Sequence, residues 1–466
     1  MGVFRRDRGE GSRDGASPGS ARPAVAGFRD LWRPATVVLL LVPVSMLGGT
    51  SADGRFAAVA GIAALTPVVA VLLATGVLPF RLCYLGIALF AGLLLVSFFR
   101  PAMTTRVAPP PVRPRFADHL HILGGAAPLQ LSRLADLVGL LSGLALSGLL
   151  IAARPHPRQV ARVIVLSGAA AAAYVLVRGE FVHARLAGLG CNPNYLGCLL
   201  AAPLVAAVGL LRYARNVRWL LPAAICALAL VQTHSRSAFL AAAVGVACVL
   251  FLDRSWRAHA LLVAGLGAGA GVAAATGMLG RLSRHVANLG AANRTATDLS
   301  ASNGQRAQVA ELAARVIADH PFRGIGYSMF PAYAQRSPGF AVYLGTHNDY
   351  LRLAAEAGVP TLLAFLVLVG LGIFHRRPGE LAVQQAVMLT FGVLLMFANP
   401  LANPAVSAPF WGALGCLLAW RPRRVPDPSR PSIASRLRRA PGHGRGGTPA
   451  PGPIASREGT GSHAPH

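Results

Sequence analysis

The residues of this chain best suited to chemistry sit where polar sequence interrupts apolar sequence. His347 stands in Thr346-His347-Asn348-Asp349-Tyr350-Leu351, just ahead of a helical pattern, and Arg306 stands earlier in the same polar stretch. Arg236 lies in Thr233-His234-Ser235-Arg236-Ser237, between Leu230-Val231 and Ala238-Phe239-Leu240. An imidazole with an unperturbed pKa near 6.5 takes up a proton at neutral pH. Neighbouring cations depress that pKa and keep the ring a competent neutral base. A guanidinium is a planar fork that binds phosphate oxygens in pairs. An arginine at the centre of an apolar span costs about 3 kcal/mol on insertion scales, so Arg236 calls for a compensating role. The bland alternatives are snorkelling for Arg236 and a solvated loop residue for His347.

Other polar residues belong to the same inventory. Arg178 and Arg185 precede Asn192-Pro193-Asn194-Tyr195, and Arg323 lies in His320-Pro321-Phe322-Arg323-Gly324-Ile325-Gly326. The expected substrate-binding residues are Arg185, Arg178, Asn194, Asn348 and Arg323. Thr346, Asn348 and Asp349 are each able to cap the helix that follows, and capping is the competing reading for Asn348 and Asp349. Glu356 reads as a helix-end polar residue. Gly324-Ile325-Gly326 makes a tight turn and not a dinucleotide fingerprint, since no strand-turn-helix surrounds it.

These residues need a scaffold, and composition says which kind. The chain is 54% hydrophobic and 13% charged, with mean hydropathy +0.52. A globular enzyme carries about a quarter of charged residues, so a polytopic membrane protein fits better. The formal net charge is +27, all of it from arginine, since no Lys occurs. Much of that charge lies in the tails and in short loops beside apolar spans, where positive-inside topology places it. It therefore implies membrane headgroups as partners and no nucleic acid. The cysteines lack metal-ligand spacing, so neither a zinc site nor a disulfide framework is expected.

The expected fold is all-α, with about twelve spans near the roughly 20 residues that cross a bilayer. Their centres fall at Leu41, Val68, Leu89, Leu144, Ile164, Pro203, Ala224, Val244, Leu266, Phe365, Leu389 and Leu414. Residues 1–33 form a disordered cytoplasmic tail, 34–279 nine spans, 280–350 a large external catalytic loop, 351–420 three further spans and 421–466 a second disordered cytoplasmic tail. Within the loop, Ser302-Asn303-Gly304 is read as the cap of a helix over Gln305–Asp319, which puts Arg306 in its first turn.

Arginines in alternate loops set the orientation. Arg81, Arg154 with Arg158 and Arg162, Arg212 with Arg218, and Arg376 with Arg377 mark the cytoplasmic side. Arg185, Asn192–Tyr195, His234–Arg236, the long loop and Asn399–Asn403 then share the outer side. Residues Pro101–Arg133 carry several arginines on that outer side and break the rule.

Asn192-Pro193-Asn194, Ser235-Arg236, Asn303-Gly304-Gln305-Arg306, the Pro321–Gly326 turn, and His347-Asn348-Asp349-Tyr350-Leu351 followed by Glu356-Ala357-Gly358 occur in an order that resembles the O-antigen ligase and polymerase superfamily. The resemblance covers roughly Asn192 to Ala419, and Pro360 departs from it where many members have glycine. It implies a GT-C-like membrane glycosyltransferase that moves a glycan from an undecaprenyl-pyrophosphate donor to an acceptor hydroxyl, with inversion and with no metal or cofactor. It further implies a site on the periplasmic or extracellular face of the cytoplasmic membrane. Catalytic roles carry over to His347 as general base, and to Arg306 and Arg236 at the donor pyrophosphate. The acceptor is a glycan, a lipid or a protein, so a polysaccharide polymerase and a protein O-oligosaccharyltransferase remain open beside a ligase. A lipid or glycan transporter is the alternative from a different class. Transporters usually carry internal repeats and midplane charges, and neither is evident in the sequence.

Overall fold

The structure is a computed structural model and describes residues 34–48, 52–74, 81–102, 129–182, 184–214, 216–251, 296–337, 345–374 and 381–420. The tails, the span centred on Leu266, and most of Pro101–Arg133 lie outside the described residues. The described chain is mostly helical. In order it runs α1 (Pro34–Gly48), α2 (Ala52–Ala74), α3 (Leu82–Phe99), α4 (Leu129–Ala153), α5 (Pro157–Arg178), α6 (Pro193–Ala214), α7 (Leu220–Thr233), α8 (Arg236–Phe251), α9 (Ala296–Asp319), α10 (Phe330–Arg336), α11 (Asp349–Ala357), α12 (Val359–Ile373), α13 (Ala382–Leu394) and α14 (Pro404–Ala419).

Four of these helices are long and apolar enough to cross a membrane, and seven more are apolar but shorter. The chain is a multi-pass membrane protein by that measure. Eleven of the expected centres fall on these apolar helices. The helices are often shorter than a full span because turns cut into the apolar runs. His234 adopts φ +48 and ends α7, so α7 and α8 reverse within two residues. Gly358 at φ +88 likewise separates α11 from α12, so the apolar span opens after Gly358 and α11 belongs with the loop.

Two arrangements depart from the all-α expectation and from the expected helix start. Between α5 and α6 a short antiparallel hairpin, β1 (Glu180–Val182) and β2 (Arg185–Ala187), pairs Phe181 with Leu186. The loop helix α9 begins at Ala296, so Ser302-Asn303-Gly304 is helix interior and not a cap. Ser and Asn cap only where the preceding residues leave the helix, and Ala296–Leu299 continue it. Gly304 costs about 1 kcal/mol relative to Ala at such a position, which a 24-residue helix absorbs. Arg306 therefore sits in the body of α9, and helix-dipole repulsion in a first turn no longer bears on it.

The bundle has α6 and α14 near its centre, both buried along most of their length. Trp411 and Phe410 of α14 are fully buried, and α4 packs close across Gly143 against the Trp411 ring. A second, smaller core joins Val309, Leu312, Ala313 and Val316 of α9 to Ile325, Phe330 and Ala355. This core makes α9, α10 and α11 one packed layer.

Connections between helices sort by end, as alternate loops should. At one end Arg81 donates to the carbonyls of Leu418 and Ala419, Gln384 to that of Pro157 and Arg212 to that of Leu250. At the other end lie the hairpin, the α7–α8 turn, the α13–α14 connection and the α9–α11 layer.

Candidate functional site

The α7–α8 turn is fixed by short polar residues. Thr233 donates its hydroxyl to the Leu230 carbonyl at 2.7 Å and accepts the Ser235 N–H at 3.2 Å. Thr233 and Ser235 are buried, which holds Arg236 as the first residue of α8. The turn lies directly against α6. A Cβ on Gly197 would come within 2.7 Å of the Ser235 Cβ, so only glycine permits this approach.

Arg185 ties the hairpin to both neighbours. Its Nε donates to the Thr233 carbonyl at 2.9 Å, and its terminal nitrogen donates to Asn194 Oδ1 at 2.6 Å. Asn192 Oδ1 accepts the N–H groups of Asn194 and Tyr195 at 3.0 Å, which starts α6. Tyr195 then reaches across the bundle and donates its hydroxyl to the Asn399 carbonyl at 3.2 Å. Thr346, one residue before His347, donates to Asn399 Oδ1 at 3.3 Å and to the Asn348 carbonyl at 2.9 Å.

His347 follows with φ +51, a left-handed conformation uncommon outside glycine. Asn348 is the N-cap of α11, and its Oδ1 accepts the N–H groups of Tyr350 at 2.9 Å and Leu351 at 3.1 Å. The edge of His347 is open to solvent. Partial burial of the ring, and then the charge of Arg306, hold its pKa below the ordinary 6.5. The charge of Arg306 in α9 is thus felt at His347, which lies just ahead of α11. Next along the chain, Asp349 is buried and accepts the Leu401 N–H at 2.9 Å. Burial pushes its carboxyl up to about 7 against the opposing pull of Arg352.

Four helices, α6, α8, α11 and α14, begin at this end of the bundle, and Asn192, Asn348 and Asn403 accept first-turn N–H groups of three of them. Helix N-termini carry partial positive charge and suit anions. Arg185 and Arg236 stand at the same end, so the chemistry available there is that of guanidinium groups beside helix N-termini. A neutral imidazole at its edge is placed to accept a proton.

Not every expected site residue joins this group. Arg323 is exposed in a turn whose backbone docks on the far end of α11, through Ile325 N–H to the Ala355 carbonyl and Gly326 N–H to the Glu356 carbonyl, both at 2.9 Å. At about 1.5 Å of rise per residue, α11 holds that turn well away from His347. Arg178 is exposed in the last turn of α5. Glu356 is more than a helix-end residue, being fully buried and paired with Arg352 at 3.0 Å. Sequence reasoning left Tyr195 and Asn399 without a role. The signal for Asn399 was its place in Asn399-Pro400 and Asn403-Pro404, a cap followed by a proline at the first helical position.

Residues 221–366 match the family model described as O-Antigen ligase. That stretch contains Arg236, Arg306, Arg323, His347 and Asn348, whereas Arg178, Arg185 and Asn194 precede it. No curated protein matches the chain.

Proposed function

We propose that the chain, whose residues 221–366 match the O-antigen ligase family model, is a GT-C-type membrane glycosyltransferase that ligates a glycan from an undecaprenyl-pyrophosphate donor to an acceptor hydroxyl at the outer face of the cytoplasmic membrane. The observation that supports this reading is the hydrogen-bonded chain that gathers Arg185, Asn194 and the α7–α8 turn opening on Arg236 at the same end of the bundle as Thr346-His347, through Tyr195 and Asn399.

The chemistry runs as a direct displacement. The bond between the anomeric carbon and the pyrophosphate oxygen breaks, and negative charge grows on the leaving group. Arg236 and Arg306 stabilise that charge, together with the helix N-termini beside them. His347 removes the proton from the acceptor hydroxyl as its oxygen attacks the opposite face of the anomeric carbon, giving inversion. Arg185 and Asn194 support the donor side. A preformed anion-attracting environment needs no rearrangement as the charge develops, which is where such catalysis gains most.

The test is reconstitution of the full-length protein with a defined undecaprenyl-pyrophosphate glycan and candidate acceptors. Arg236→Ala and Arg306→Ala should nearly abolish transfer at normal protein levels. The corresponding lysine variants should recover only part of it, because a point charge lacks the bidentate fork. Wild-type rates in both lysine variants would rule out bidentate phosphate recognition.

A further inference from the structure

We propose that Asp136 of α4, acting through Arg352, is a positioning residue for His347. The inference rests on the base assignment above and extends the functional apparatus outside the 221–366 domain, onto a helix of the N-terminal half.

His347 directly precedes the N-cap of α11, so the placement of α11 bears on where the ring stands. One face of α11 presents Asp349, Arg352 and Glu356, all buried. Arg352 donates its Nε to Glu356 Oε2 at 3.0 Å and a terminal nitrogen to Asp136 Oδ2 at 2.6 Å, and lies 5.1 Å from the Tyr327 ring centroid. The same Asp136 oxygen accepts the Ser328 hydroxyl at 2.6 Å. Glu356 accepts the N–H groups of Ser328 at 2.8 Å and Phe330 at 3.1 Å. One turn earlier on α4, Arg133 donates to the carbonyls of Tyr327 and Phe98, each at 3.0 Å. Arg133 was one of the cations that broke the charge rule, and its position is explained by this fastening.

A buried ionic network of this kind adds little stability over apolar packing of the same volume. What it supplies is register. A stripe of leucines tolerates a slide of α11 by a fraction of a turn, whereas the Asp136–Arg352–Glu356 chain satisfies all its partners in one placement only. Within that chain Asp136 alone comes from a helix of the spanning bundle, and it shares the fastening of α11 with Ser97 of α3, which donates to the Glu356 carbonyl at 2.7 Å, and with the Asp349 N–H, which donates to the Leu395 carbonyl at 2.8 Å. Ser328 at φ +59 is held in a conformation uncommon for a residue with a side chain, which fits a contact whose geometry matters. Asp136 is also the gentlest member to alter. Its side chain is 37% exposed, so a change there meets water, not an unpaired buried charge.

The experiment compares Asp136→Asn in two backgrounds, using full-length protein in lipid nanodiscs with a defined undecaprenyl-pyrophosphate glycan and a working acceptor. Misplacing a reacting group by 1 Å costs about 100-fold, so a smaller shift of His347 should lower kcat about tenfold. KM for the donor should change less than about twofold, since uniform binding is untouched. In the His347→Ala background the same substitution should leave the residual rate within about twofold, because the group it positions is gone. Asp136→Glu should recover part of the loss. Equal loss of rate in both backgrounds would overturn the proposal, as would a rise in donor KM with kcat unchanged. A protein that fails to accumulate as Asp136→Asn is replaced by Ser328→Ala, which removes only a hydroxyl and must obey the same two-background rule. A wild-type rate for His347→Ala alone would strike the base assignment and this proposal together, and so is told apart from failure of the positioning role.

Discussion

Asn348 offers the clearest separation between a residue that binds substrate and one that holds the backbone. Its Oδ1 is already engaged by two N–H groups, those of Tyr350 and Leu351. Asn348→Ala should therefore cost what a lost N-cap costs, about 1 kcal/mol and at most about 2. That corresponds to a factor of about 5–30 in the opening of the first turn of α11. Hydrogen exchange at residues 349–353, measured by mass spectrometry on the full-length protein, should quicken by that factor. Transfer should fall much less, within about fivefold, because the turn stays closed in most molecules. Asn348→Ser should restore both, since serine caps as well as asparagine. A direct hydrogen bond to a charged donor would behave otherwise. Losing one costs about 1.5–3 kcal/mol, or roughly 10–150-fold in rate, and a shorter hydroxyl would not replace it. Slow transfer in both Asn348→Ala and Asn348→Ser, with exchange unchanged, would refute the capping account and return Asn348 to the substrate.

The His347 pKa is lowered by burial and by Arg306, and a base must be neutral, so the kcat plateau should extend below pH 6.5 before the rate falls with acid. Arg306→Gln removes one of the two causes and should move that acid limb to higher pH, while His347→Ala should abolish the limb and slow turnover about 10²–10⁴-fold; an acid limb that survives in His347→Ala belongs to another group. Gly324→Ala places a Cβ 2.3 Å from the Glu356 carbonyl carbon at φ +61. Left-handed strain of about 1–2 kcal/mol and two weakened backbone bonds at about 1 kcal/mol each should together lower the thermal midpoint clearly, and an unchanged midpoint would mean the turn does not dock as described.

Sequence reading reached the apolar helices because each is a long run with a polar break, and centres such as Ile164, Pro203 and Leu414 sit well inside observed helices. It misjudged ends where one residue decides. His234 and Gly358 stop helices through positive φ, and a histidine gives little warning of that conformation. Polar residues such as Arg236 and His347 stood out against apolar surroundings. Their mutual placement did not, because it depends on pairs far apart in the chain. Tyr195 meets Asn399 across 204 residues, and Arg352 meets Asp136 across 216. Periodicity and local caps carry no information over such separations. Asp136 in Leu134-Ala135-Asp136-Leu137 looks like an ordinary polar residue near the start of a span.

The two ends of α8 show why arginine alone is a poor guide and arginine with a helix terminus is a better one. At its last turn, Arg212 from α6 donates to the Leu250 carbonyl. At the end of α14, Arg81 does the same to Leu418 and Ala419. In both cases a cation meets the negative end of a helix, which is favourable, and the arginine completes the fold. Arg236 is the opposite case. It opens α8, where the dipole is positive and opposes a cation, and three more helices start at the same end of the bundle. Arg185 at the same end follows the structural pattern, since it donates to the carbonyl of Thr233, the last residue of α7. Structural arginines meet the negative end of a helix, whereas the dipole at the start of α8 does not favour Arg236 and would favour an anion beside it. On the function proposed above that anion is the donor pyrophosphate, whose negative charge would meet the Arg236 guanidinium and the helix N-terminus together.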